Sequence, residues 1–70
     1  MSRWDAWRPR LVNAAQQAIQ VRGLPCSQNA EANLQEEVER IGILAGAVGI
    51  VEPIAGWQGY VTVSFTRPLK

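Results

Sequence analysis

From Ile41 to Phe65 the chain carries one ionisable carboxylate, Glu52, and no basic residue. A chain of 70 residues has little material with which to cover so long an uncharged stretch, since domains near this size bury only about 60% of their unfolded surface. Part of that surface is therefore expected to meet a partner. Other copies of the same chain are the simplest candidate.

Charge is segregated along the rest of the chain. Residues 1–22 hold Arg3, Arg8, Arg10 and Arg22 against Asp5, whereas residues 27–52 hold Glu31, Glu36, Glu37, Glu39 and Glu52 against Arg40. The net charge is only +1, so no whole-molecule field draws the protein to nucleic acid or an anionic membrane. The local asymmetry can still steer two surfaces together. A hydrophobic fraction of 47% with 19% charged residues excludes the disordered class.

Hydrophobic spacing predicts two helices. Trp4, Trp7, Leu11, Ala14, Ala18 and Val21 recur at steps of three and four, with Ala15 and Ile19 widening the stripe. The first helix is placed at about 3–22, with Ser2 and Asp5 resembling a capping box and Gly23 and Pro25 as its stop. Pro9 fits two arrangements: a helix from Ser2 that loses a backbone bond there, or one starting near Arg8 with Pro9 at its first position. The second helix is placed at about 28–44, capped by Ser27 or Asn29 and striped by Leu34, Val38, Ile41 and Ala45. Gly42 and Gly46 each cost it about 1 kcal/mol relative to Ala, so it fails between Ile41 and Gly46.

The remainder reads as two strands, at about 47–51 and 60–66. Val61, Val63 and Phe65 alternate with Tyr60, Thr62 and Ser64, and Pro53 and Pro68 are the expected ends. Between the strands a loop presents Ile54 and Trp57. The expected fold is a single α+β domain of two N-terminal helices followed by a C-terminal β-hairpin. A lone hairpin is marginal in water and leaves open edges, so the sheet is expected to be completed by oligomerisation.

Chemistry-bearing patterns are sparse. The chain has no histidine, which removes the usual neutral-pH base, the Ser-His and Cys-His nucleophiles and most transition-metal sites. Glu36 and Glu39 share a helix face at a spacing able to hold a hard cation, but they belong to a Glu-Glu-Val-Glu-Arg run that a solvated face explains. Cys26 is the only cysteine. It precludes an internal disulfide and lacks a resolving thiol or base, so it reads as a structural thiol. Gly42 to Gly49 matches neither a phosphate loop nor a dinucleotide fingerprint. The apolar run Ile41–Val51 is much shorter than the roughly 20 residues of a spanning helix. No catalytic, cofactor or metal site is expected, no membrane is expected, and with no apolar leader after Met1 the expected location is cytoplasmic, or a virion.

What remains are interaction candidates. Trp4, Trp7 and Arg8 cluster at the first helix start, and Trp and Arg are enriched in protein–protein hot spots. Ile54, Trp57 and Tyr60 mark the hairpin loop, and Glu36, Glu37 and Glu39 the acidic helix face. The expected function is a non-catalytic interaction or assembly protein that self-associates or joins a larger assembly, of a size that suits a bacteriophage accessory or virion part. The alternatives are an inhibitor or adaptor that binds one host protein, and a nucleic-acid module using Arg3, Arg8, Arg10 and Arg67, which the near-zero net charge disfavours.

Overall fold

The alternating segment at the C-terminal end becomes the middle of a sheet. The computed structural model describes residues 4–68, with side chains from Asp5 onward. Helix α1 (Trp4–Gln17) leads into strand β1 (Gln20–Pro25). A 3-10 turn at Gln28–Ala30 then opens helix α2 (Glu31–Ala45), followed by strands β2 (Val48–Ile54) and β3 (Trp57–Thr66). The sheet order is β1-β3-β2. Both outer strands pair antiparallel to β3, so β1 and β2 run parallel to each other and are linked through α2.

Val61, Val63 and Phe65 on β3 face the helices and are buried, as their alternation predicts. Val51 and Gly49 of β2 lie opposite Val63 and Phe65, while Val21 and Leu24 of β1 lie opposite Val63 and Val61. Leu11, Ala14 and Ala15 of α1 and Leu34, Val38 and Ile41 of α2 close this core from above. The result is two layers, helices on one sheet face, with no element on the other face among the described residues.

Three expectations need correction. The first helix ends at Gln17, not near residue 22, and Gln20–Pro25 is a third strand where a two-stranded hairpin was expected. Val21 and Leu24 prolong the helical spacing of α1, which disguises them. Their burial is instead the inward side of a strand, and Gly23, with φ 84°, sits where the β1 register slips by one residue. Pro53 does not end β2 but lies inside it opposite Val61. It is tolerated there because β2 is an edge strand. Finally, Ser27 starts the 3-10 turn and Ala30 precedes α2, neither element receiving a side-chain capping bond. The Ser2 half of the expected capping box lies outside the described residues.

Pro9 falls inside α1, so the arrangement with an early helix start holds and the carbonyl of Asp5 loses its usual donor. Both helices close with the same pair of backbone bonds. Ala18 N donates to Ala15 O at 3.2 Å and Ile19 N to Ala14 O at 3.0 Å. In α2 the matching bonds run from Gly46 N to Ile43 O at 3.2 Å and from Ala47 N to Gly42 O at 2.8 Å. This closure needs a left-handed residue. Gly46 takes φ 71° freely, whereas Ala18 takes φ 55° against its own Cβ. Arg67 of the C-terminal segment then places Nη2 2.6 Å from Gln16 O, supplying the cation that the last turn of α1 lacks.

Helix α2 lies very close to β2, and glycines make that possible. A Cβ on Gly42 would stand 2.8 Å from Ala47 O, and one on Gly49 would stand 2.8 Å from Val38 O and 2.9 Å from Phe65 Cε1. Backbone carbonyls cannot yield as a side-chain tip can. Gly49→Ala is therefore expected to destabilise by about 3 kcal/mol, from overpacking and backbone displacement. Ala18→Gly is expected to stabilise by about 0.5–1 kcal/mol, because relief of the left-handed strain outweighs the entropy of glycine. Urea unfolding midpoints check both, and shifts of the opposite sign would refute the packing and closure described.

Candidate interaction surface

The predicted interaction residues do not converge on one site. Trp57 opens β3 immediately after the two-residue turn Ala55-Gly56, so it belongs to a strand and not to a long loop. Its indole is 54% exposed and meets the Tyr60 ring edge-on, with centroids 5.9 Å apart and planes at 83°. Ile54, opposite Trp57 in the register, is half-buried. These three form an aromatic tip at the turn end of the hairpin.

At the helix layer, Trp7 packs partly against the core and carries the Arg10 guanidinium 4.5 Å from its ring centroid. A cation over the ring occupies the face that a base or partner would stack on. The side chain of Trp4 lies outside the described residues. Arg8 is engaged as well: its guanidinium reaches Asp5 and Glu37, each at 3.4 Å, and Glu37 also meets Arg40 at 3.5 Å. Glu37 thus ties α2 to α1. Of the predicted acidic face only Glu36 and Glu39 stay exposed and outside any ion pair among the described residues. Such exposed pairs contribute about 0–1 kcal/mol each, so they orient the helices more than they hold them.

A second surface, absent from the sequence-based candidates, stands at the far end of α2. Ile43 and Leu44 are 76% and 86% exposed, and Val48 and Ile50 on the bare side of β2 are each 46% exposed. A groove of about 440 Å³ runs between Ile43 and the β2 residues Val48 to Ile50, with Gln35 and Glu39 on its rim. Val12 of α1, also exposed, flanks Leu44 across a smaller hollow. The signal was present in the sequence. Ile43 and Leu44 fall off the buried stripe of Leu34, Val38 and Ile41, on the face that carries Glu36, Glu39 and Arg40 in the preceding turns. Two large aliphatics following a charged face mark a surface that changes character.

The edge of β2 is closed by one side chain. Gln35 Nε2 donates to Gly49 O at 3.1 Å, and Val51 N donates to Gln35 Oε1 at 2.8 Å. The carboxamide thereby stands in for one rung of a neighbouring strand and blocks pairing there. Cys26 is buried, and its Sγ lies 3.4 Å from Ser27 O. Burial first, and the carboxylate of Glu31 second, push its thiol pKa up. Both effects disfavour the reactive thiolate form of Cys26. Among the described residues no cluster of three or more Cys, Asp or Glu side chains is arranged to hold a metal ion, and no helix is long and apolar enough to cross a membrane.

Replacing Gln35 with Ala strips the rung from the β2 edge. The expected loss is about 1–2 kcal/mol, together with faster hydrogen exchange at the Val51 amide. Undiminished protection of Val51 in that variant would show that the carboxamide does not close the edge.

No protein-family model, curated protein or solved structure matches this chain.

Proposed function

We propose that the protein is a non-catalytic assembly component that associates with copies of itself through the aliphatic surface of Ile43, Leu44, Val48 and Ile50. The exposure of Ile43 and Leu44 carries this reading. Two large aliphatics stand at a helix end with almost nothing over them, and two more stand half-exposed on the outward face of β2. Ile43 shares a groove with Val48 and Ile50, Leu44 follows it along the helix beside Val12, and exposed apolar patches of this kind mark interfaces.

The magnitudes favour a shared patch. Burying one large aliphatic side chain contributes about 1.5–3 kcal/mol. In a two-fold dimer every residue of the patch is counted twice, so Ile43 and Leu44 together supply about 6–12 kcal/mol. Association costs of about 4–15 kcal/mol absorb most of that. Val48 and Ile50, already half covered, are therefore needed to make the complex stable. A small component of a larger particle, such as a bacteriophage connector or tail, is a setting in which such a subunit would serve.

A second reading draws on the hairpin tip. Trp57 and Tyr60 lie at the opposite end of the hairpin from Val48. A self-associating subunit that buries its aliphatic end would leave this aromatic pair free for a different protein. The nucleic-acid reading has less support, since Arg8 is ion-paired and Trp7 is covered by Arg10.

Light scattering on a size-exclusion column, at two concentrations tenfold apart, tests the proposal. The expected result is one oligomer that resists dilution, and a Leu44→Glu variant that elutes as a folded monomer. Leu44 touches too little of its own chain for the substitution to unfold it. A wild-type monomer at both concentrations would end the assembly reading.

A further inference from the structure

The two edges of the sheet are treated differently. β2 has its outer rung taken by Gln35 and α2 lies over it. β1 has no counterpart: among the described residues no side chain bonds to its backbone. Backbone groups alternate sides along an antiparallel strand. Because Ile19 O accepts from Phe65 N on β3, Gln20 and Arg22 turn their N–H and C=O groups away from the sheet. Four hydrogen-bonding groups therefore line an open edge.

A groove of about 270 Å³ lies beside that edge, between α1 and β1, lined by Arg10, Asn13, Ala14, Ile19, Gln20, Val21 and Arg22. Its only charged residues are the two arginines, and neither is in an ion pair among the described residues. They stand on opposite sides of the edge. Arg10 comes from the helix layer, braced over Trp7. Arg22 shares a cross-strand row with Thr62 and Glu52, on the bare face of the sheet, with Glu52 two strands away.

We infer that β1 is a docking edge for an extended segment of another protein that carries two consecutive acidic residues. Such a segment adds a fourth strand by bonding to Gln20 and Arg22, the strand-addition mode of peptide recognition. Neighbouring residues of a strand point to opposite faces. An adjacent acidic pair thus sends one carboxylate to Arg10 and the other to Arg22, each a charge-assisted contact. A second copy is a poor occupant: pairing β1 with β1 brings Arg10 and Arg22 of both copies together, and like charges across strands repel. The inference goes beyond the assembly reading and does not depend on it.

The probe is the capped hexapeptide Val-Thr-Glu-Glu-Val-Thr, titrated into isotope-labelled wild-type and Leu44→Glu protein and followed by NMR. The expected result is binding in both, with slowed hydrogen exchange at the Gln20 and Arg22 amides. Affinity should fall at least tenfold with Arg22→Gln, with a Lys-Lys peptide, and with a peptide N-methylated at both glutamates. Equal binding of the N-methylated peptide would mean a charged patch and overturn strand addition. Absence of binding at millimolar peptide would overturn it too, as would protection of Gln20 and Arg22 that rises with protein concentration alone, which would make a second copy the occupant.

Discussion

The structure depends on how closely α2 lies against β2. Gly42 and Gly49 remove the two Cβ atoms that would hold helix and strand apart. With them gone, Val38 and Phe65 meet beside the Gly49 backbone, and Gln35 comes near enough to bond to the strand edge. One approach thus seals the core, sets the register of β2 under the helix, and closes an edge. It also determines what is left outside. Pressed onto β2 through its Leu34–Ile41 stripe, α2 turns Ile43 and Leu44 away from the core.

Surface charge plays a smaller part. The Asp5–Arg8–Glu37–Arg40 chain of contacts joins the helices at distances of 3.4–3.5 Å at the surface, with Glu37 partly covered and the other three more open to solvent. Pairs of that kind contribute little at equilibrium. Their effect is to occupy charges that composition alone leaves looking available. Arg8 and Glu37, both credible contact residues in the sequence, are spent on each other.

Much of this was legible beforehand, and the parts that were not have physical causes. β3 declares itself because its two faces meet different surroundings, so Val61, Val63 and Phe65 alternate with polar residues. The α2 stripe is clear for the same reason. β1 is hidden because Gln-Val-Arg-Gly-Leu-Pro lacks strand composition, and its inward residues continue the spacing of α1. Pairing with the long central strand β3 makes it a strand, and no local propensity encodes that. The tight left-handed closure at Ala18 was equally invisible, since the residue there is not the glycine that such closures favour. Of the candidate site, Trp57 and Tyr60 are exposed, Trp57 on a strand where a loop is expected, and Ile43 and Leu44 lie inside the uncharged stretch whose surface is expected to meet a partner.

The order of strands has a consequence for how the chain reaches this state. β1 and β2 touch β3 and not each other, and β3 follows both in the sequence. β2 meets β3 across the two-residue turn Ala55-Gly56, so that ladder is local, whereas β1 meets β3 only at long range. Local helix and hairpin formation can proceed early, but the sheet is complete only when β1 pairs with β3 between residues about forty positions apart, as Gln20 and Ser64 are. Pairing of that range is slow, because loop entropy is lost before contacts compensate for it. Until β1 docks, the far edge of β3 is open, and a foreign strand can compete for it.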